Sequence, residues 1–239
     1  MKFEIKSWVD GTILFSGEFG SLKLCIEAAV KSHASLVGAR LDGARLVGAS
    51  LDGASLDGAR LDGASLDGAS LVGARLDGAS LDGARLVGAR LDGASLDGAS
   101  LDGARLDGAR LVGARLVGAS LVGASLDGAS LDGARLVGAR LDGASLDGAS
   151  LVGARLDGAS LDGARLVGAS LVCQLGQPNG WWAWTCCVDD RSQRVRVGCR
   201  DFTLAEGRAY WAGKENRREV LAALDYAEAI GKLRGWKQA

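Results

Sequence analysis

The sequence predicts an all-β solenoid, and three observations carry that prediction. Residues 34–173 are 28 consecutive five-residue units of the form Ala-(Ser/Arg)-Leu-(Asp/Val)-Gly. A fixed period of five fits neither a helix with about 3.6 residues per turn nor a straight strand, whose side chains alternate faces. The array also places 27 glycines in one register, which disfavours a helix. Such periodicity is typical of a solenoid, in which each unit contacts only its neighbours.

Each unit is predicted to form a short extended segment followed by a corner. Ala and Leu are two residues apart, so both point inward while the Ser or Arg between them points outward. Asp-Gly or Val-Gly then makes the corner, because the third position of a type II turn needs positive φ and glycine adopts it readily. Successive units therefore wrap into coils with Leu and Ala inside, and neighbouring coils hydrogen-bond at about 4.8 Å spacing.

The array resembles the pentapeptide repeat family, whose consensus A(D/N)LXX has a central Leu and an Ala two residues before it. The resemblance covers residues 34–173 and departs from the family before Leu, where this chain has Ser or Arg instead of Asp or Asn. It implies a right-handed quadrilateral β-helix with four pentads per coil. The 28 pentads would then form about seven coils.

Residues 1–33 are predicted to form a small α/β N-terminal cap, a hairpin followed by a helix. Residues 2–9 (KFEIKSWV) and ILFSGEF read as two strands joined by a turn at Asp10-Gly11. Ser21 is placed to N-cap the helix that follows. Such a cap covers the open strand edge at this end of the solenoid, which would otherwise invite edge-to-edge growth.

Residues 174–239 are predicted to form a mainly helical C-terminal cap that begins with a hairpin. Pro178-Asn179-Gly180 is a turn signal, and WWAWTCCV and RVRVGC read as strands. Thr203 and Glu206 have the spacing of a capping box, so a helix is expected to start there. A last helix is expected at about 217–236, with its apolar residues on one face.

Composition limits the cellular setting and the classes of partner. The chain has 239 residues and a net charge of -1, which argues against a non-specific nucleic-acid binder. No apolar run reaches membrane-spanning length, and the N-terminus has no apolar block of signal-peptide length. The five cysteines are too few for a disulfide scaffold, which favours a reduced, cytoplasmic protein.

The sequence predicts no catalytic, cofactor-binding or metal site. His33 is the only histidine, and the 15 serines of the array have no neighbouring base that would make them nucleophiles. Cys186 and Cys187 are adjacent and would point to opposite faces of a strand, so with Cys199 they read as free thiols and not as zinc ligands. The glycines lack the strand and helix context of a phosphate-binding loop.

Stacked aspartates form the most conspicuous charged pattern. With four pentads per coil, Asp42, Asp62, Asp82 and Asp102 would form one column, with Arg40 and Arg60 beside two of them. One column of carboxylates offers fewer oxygen ligands than the roughly six to eight that coordinate calcium. We therefore interpret this face as a solvated, partly paired charged surface.

A tryptophan cluster leaves two interpretations of the C-terminal region open. Its members are Trp181, Trp182, Trp184, Trp211 and Trp236. They read either as the small hydrophobic core that closes the rod or as a homodimer interface, where aromatic residues are enriched.

Two functional hypotheses follow. The first is a non-enzymatic structural or protein-interaction scaffold, because the interior is only Leu and Ala and leaves no room for a ligand. The second is implied by the resemblance, since some family members mimic DNA and inhibit the type II topoisomerase DNA gyrase. The array carries 17 Asp against 13 Arg, with net charges of 0, -3, 0 and -1 on its four faces, which is weak for a DNA mimic.

The array is unusually regular. Ala and Leu never vary, and the two variable positions are strict binary choices. This is typical of an idealised or library-built array, and the alternative is recent tandem duplication, since residues 61–88 recur identically at 141–168.

Overall fold

The computed structural model describes residues 1–156, 158–166, 169–172, 184–188, 193–197 and 200–203. The regular elements in chain order are β1 (Lys2–Lys6), β2 (Ile13–Glu18), α1 (Leu22–Lys31), β3 (Ser150–Val152), β4 (Ser170–Val172), β5 (Trp184–Val188), β6 (Gln193–Val197) and β7 (Arg200–Thr203). Between α1 and β3, the chain pairs through single parallel bridges in place of longer strands, one in each pentad from the pentad of Arg40 onward.

The coils stack in one constant register. The residue before each Leu pairs in parallel with its equivalent four pentads later, from Arg40 with Arg60 to Ser145 with Arg165. Strands β3 and β4 continue the same register, with Leu151 opposite Leu171. Each coil therefore contains four pentads, as the family resemblance implied.

Every described corner of the array has the predicted turn geometry, and residues 96–99 show it. Gly98 has a φ of 67°, and the N–H of Ala99 donates to the carbonyl of Leu96 at 3.0 Å. Positive φ occurs at the third residue of this turn and not at Asp97, which is the type II pattern. The prediction of a glycine-dependent corner is confirmed.

The leucines and alanines form one continuous apolar core. From Leu36 to Ala154, every Leu and Ala of the array is at most 6% exposed, and most are fully buried. Burying one leucine side chain is worth about 1.5–3 kcal/mol. The repeated unit thus supplies the apolar burial that a solenoid of short bridges needs.

The N-terminal segment forms an antiparallel hairpin and one helix. Strands β1 and β2 pair with an irregularity between Ile5 and Lys6, and Gly11 in the connecting turn has a φ of 74°. Ser21 is the N-cap of α1, since its hydroxyl accepts the N–H of Leu24 at 3.2 Å. The buried face of α1 joins the array core together with Ile5.

This segment also supplies hydrogen-bond partners to the first two coils. The N–H of Arg40 donates to the carbonyl of Lys6 at 2.7 Å, and the N–H of Ser50 donates to Glu27 Oε1 at 2.9 Å. The Trp8 indole Nε1–H donates to the carbonyl of Gly58 at 2.8 Å. These bonds cover polar backbone groups that would otherwise form an open strand edge.

The described part of residues 174–239 is a three-stranded antiparallel sheet in the order β5-β6-β7. Strand β5 lies within the predicted strand WWAWTCCV, and β6 overlaps the predicted strand RVRVGC. Strand β7 was not predicted. Thr203, the expected N-cap of a helix, is the last residue of β7, where it pairs with Arg194. An N-cap residue has extended backbone, so this position is compatible with a helix that begins after it. The rest of that expected helix, the turn at 178–180 and the helix at 217–236 lie outside the described residues, so the mainly helical cap stays a prediction.

The one helix of the described residues is α1, which has 10 residues. No helix within the described part of the chain has the length and apolar character needed to cross a membrane.

Candidate interaction surface

The corner aspartates satisfy a backbone group that the solenoid leaves unpaired. Across residues 56–137, four N–H groups of every pentad donate to backbone carbonyls, whereas the N–H of the Asp or Val at the corner has no backbone acceptor. An Asp on the preceding coil can provide one, as Asp102 Oδ1 does for the N–H of Val122 at 2.9 Å. Asp at this position therefore links one coil to the next through its side chain.

The same carboxylates accept a second donor from the next coil, from the residue two positions before the facing corner. Where that residue is Ser, its hydroxyl donates, as Ser120 does to Asp102 Oδ1 at 2.6 Å. Where it is Arg, the guanidinium pairs with the carboxylate, as Arg85 Nη2 does with Asp67 Oδ2 at 2.7 Å. Nine aspartates receive a serine hydroxyl: Asp52, Asp62, Asp77, Asp82, Asp102, Asp107, Asp127, Asp132 and Asp142.

Six further aspartates pair with an arginine on the next coil: Asp42, Asp57, Asp67, Asp92, Asp97 and Asp147. Ser and Arg thus share one property at the variable position before Leu, because both donate to the carboxylate on the coil before. This pairing was not predicted from the sequence. The partners are far apart along the chain, and their relation becomes visible only once the length of a coil is known.

Where an arginine faces a valine corner on the preceding coil and its own pentad contains an aspartate, the arginine turns to that aspartate. Arg105 Nη2 lies 3.1 Å from Asp107 Oδ2, and Arg140 Nε lies 3.4 Å from Asp142 Oδ2. The position that an aspartate would occupy on the preceding coil is Val87 for Arg105 and Val122 for Arg140. The surface arginines are therefore mostly held against carboxylates of the array itself.

The predicted aspartate column is bridged by donors. Arg60 lies 3.3 Å from Asp42 and 3.5 Å from Asp62, and the N–H of Asp82 donates to Asp62 Oδ1 at 3.1 Å. Arg40 instead donates to the carbonyl of Trp8 at 3.4 Å. Among the described residues, no group of three or more His, Cys, Asp or Glu side chains is placed to hold a metal ion.

Two ionisable groups show how the local environment changes acidity. Hydrogen bonding, led by the hydroxyl of Ser160, lowers the pKa of Asp142 below its ordinary value. Burial in the core raises the pKa of the Cys25 thiol. The Asp142 carboxylate is held ionised and the Cys25 thiol protonated, and neither change creates a nucleophile or a general base.

Four of the remaining residues considered as site candidates lie in the described part of the chain. His33 is exposed after the end of α1, with a φ of 57°. Cys186 and Cys187 are neighbours in β5, which Trp184 begins. The other residues considered for these sites, Cys199, Trp181, Trp182, Trp211 and Trp236, lie outside the described residues.

Comparison with known proteins identifies the family. The family model described as pentapeptide repeats matches in eight copies, over residues 34–73, 59–98, 69–108, 99–138, 109–148 and 134–172. These segments cover more than half of the chain, so it belongs to the pentapeptide repeat family. Proteins of this family fold as right-handed quadrilateral β-helices, in agreement with the predicted fold class.

Solved structures of the same family are similar to this chain. A trypsin-treated form of QnrB1, titled a plasmid-mediated fluoroquinolone resistance protein, has 23% identity and a TM-score of 0.52 over 58% of this chain and 71% of that one. A pentapeptide repeat protein from the Arabidopsis thaliana thylakoid lumen has 29% identity and a TM-score of 0.37 over 40% and 66%. HetL, from the cyanobacterium Nostoc and titled as involved in heterocyst differentiation regulation, has 32% identity and a TM-score of 0.21 over 59% and 80%. No curated protein matches this sequence.

Proposed function

We propose that this chain is a non-enzymatic structural or protein-interaction scaffold built from an idealised repeat array. One observation carries the proposal: the interior is a solid column of Leu and Ala, and the polar surface residues are mostly bonded to one another between coils. A closed core with paired surface groups is suited to a stable protein that presents its outer faces to a partner. Family members are generally structural or interaction proteins, which supports the same class of function.

The proposed organisation has three parts. Residues 1–33 form the N-terminal cap, residues 34–173 form a β-helix of about seven coils, and residues 174–239 form the C-terminal cap. The hydrogen bonds from Lys6, Trp8 and Glu27 to the first coils support the first of these assignments. The buried, unpaired Cys25 thiol fits the reduced, cytoplasmic setting that we propose.

We further propose that the C-terminal cap self-associates through its tryptophans. Light scattering of the full chain tests this directly, because a dimer doubles the 24.4 kDa mass of the chain. A Trp184→Ser variant should shift the mass toward that of a monomer, while Trp8→Ser at the other end should leave it unchanged. A monomeric parent protein would overturn the dimer proposal and leave the scaffold proposal standing.

A second candidate is a DNA-mimicking inhibitor of DNA gyrase. The face with a net charge of -3 favours it, as does the similarity in fold to a fluoroquinolone resistance protein. The bridging of carboxylates by arginines such as Arg60 weighs against it, since a DNA mimic needs an uninterrupted negative surface.

A gyrase supercoiling assay separates the two candidates. The scaffold proposal predicts no change in supercoiling at micromolar protein. A matched variant sharpens the test: Arg60→Ser keeps a donor for Asp42 but makes the most negative face more negative. Inhibition by the parent chain that strengthens in Arg60→Ser would overturn the scaffold proposal in favour of DNA mimicry.

A further inference from the structure

Arg135 lies between two coils of the array but has no aspartate in either pairing position. The position that would pair with it on the preceding coil is Val117, and the corner of its own pentad is Val137. Within the described residues, the exposed Arg135 side chain forms no salt bridge or hydrogen bond. Its guanidinium therefore remains available to a group from outside the chain.

A backbone donor on the same face is unpaired as well. Six array valines donate their N–H to an aspartate Oδ1 of the preceding coil: Val72, Val87, Val112, Val117, Val122 and Val152. Val137 follows Val117 instead of an aspartate. Its N–H has no acceptor among the described residues.

The same pair of donors binds a carboxylate elsewhere in the molecule. Asp67 Oδ1 accepts the N–H of Val87 at 3.0 Å, and Asp67 Oδ2 accepts Arg85 Nε at 3.0 Å and Nη2 at 2.7 Å. Arg135-Leu136-Val137 repeats Arg85-Leu86-Val87, with the same coil geometry, but no aspartate faces it. The donors of a carboxylate site are present there without their carboxylate.

We propose that Arg135 and the N–H of Val137 bind a carboxylate group presented by a partner molecule. Arg135 is bridged to Arg115 and Arg155 on the two neighbouring coils, so three arginines stack on this face at about 4.8 Å spacing. Arg115 is already paired with Asp97. An incoming anion next to Arg135 would relieve like-charge repulsion within this column.

The test is an NMR titration of the full chain labelled only with [15N]valine, using sodium acetate as the probe and sodium chloride to keep ionic strength constant. Selective labelling restricts the spectrum to valine amides, and Val137→Ile and Val87→Ile identify the two peaks of interest. We expect the Val137 amide to shift in a saturable manner with acetate while the Val87 amide does not.

Two matched variants exchange residues that the array already uses at its corners, so the fold is retained. Val117→Asp fills the site with an internal carboxylate and should abolish the response of Val137. Asp67→Val leaves Arg85 without a carboxylate on either side and should make the Val87 amide respond. Equal responses at Val87 and Val137, no saturable shift at Val137, or an undiminished response in Val117→Asp would each overturn the proposal. The scaffold proposal does not depend on this result.

Discussion

Asp142 shows what a single corner carboxylate does at the surface. The hydroxyl of Ser160, on the next coil, is the first cause that lowers its pKa, and the N–H of Asp162 and the guanidinium of Arg140 act in the same direction. The group is therefore more acidic in the folded protein than in the unfolded chain. Its contribution to stability is fully present above the unfolded pKa, about 3.9, and is lost as pH falls through the folded pKa.

We predict that Ser160→Ala raises the pKa of Asp142 toward its ordinary value. The reason is that the substitution removes the main donor to the ionised carboxylate. The difference between the 13C carboxylate titrations of the two proteins gives the shift. Ser130→Ala, in which the lost hydroxyl donates to Asp132 of its own pentad, is the control and should leave Asp142 unchanged. Identical Asp142 titrations in Ser160→Ala and the parent chain would contradict the assignment.

His33 is the one non-glycine residue with positive φ in the described chain. It follows the C-cap Ser32, its N–H donates to the carbonyl of Val30, and the N–H of Ala34 donates to the carbonyl of Ala29. These two bonds form a Schellman motif, in which the residue after the C-cap is usually glycine.

We predict that His33→Gly stabilises the protein by about 1 kcal/mol, because glycine relieves the cost of a left-handed residue with a Cβ. Chemical denaturation measures the change in the free energy of unfolding. His33→Ala keeps the Cβ and should give no such gain. A stabilisation of the same size in both variants would show that loss of the imidazole, and not backbone conformation, is responsible.

At the level of one coil, the corner depends on backbone conformation and not on space. A Cβ added to Gly98 would meet no atom within 4 Å, yet its φ is 67°. We predict that Gly98→Ala costs roughly 1–2 kcal/mol in the free energy of unfolding, and that Gly98→Asn costs less because Asn tolerates this conformation better. Denaturant titrations of the two variants rank them. Equal costs would indicate that the corner relaxes away from positive φ.

The sequence predicts which side chains lie inside a coil better than it predicts how many pentads form one coil. Ala, Leu and Gly specify inward side chains and a corner in every pentad, because only that conformation buries each leucine while giving glycine positive φ. The number of corners per coil depends on the angle of each turn, and the five-residue pattern does not specify that angle. The prediction of four pentads per coil therefore rested on the family resemblance. Strand β7 was missed because Arg200–Thr203 contains a single apolar residue, Phe202, so no alternation of apolar and polar residues marks it as a strand. The carboxylate pairing was missed because its partners become neighbours only after a coil closes.

At the scale of the whole molecule, the pentads are interchangeable units. Each has the same inward residues, each described corner closes in the same way, and either Ser or Arg can donate to a carboxylate on the coil before. A solenoid built from such units should tolerate a change in their number, because each unit interacts only with its neighbours.

We therefore predict that deletion of residues 104–108, one whole pentad, leaves a folded protein whose melting temperature changes by only a few degrees. The later coils turn by one side relative to the N-terminal hairpin, but the array leucines stay inside and the aspartates from Asp42 to Asp147 still face a Ser or Arg donor. Deletion of residues 105–107 removes the same leucine and aspartate, yet leaves Ala104 and Gly108 unable to span a face and make a corner, so it should be far more destabilising. Thermal unfolding followed by circular dichroism compares the two deletions. If the pentad deletion were as damaging as the three-residue deletion, the four faces would not be equivalent, and the position of each pentad around the coil would carry information that the repeated unit alone does not reveal.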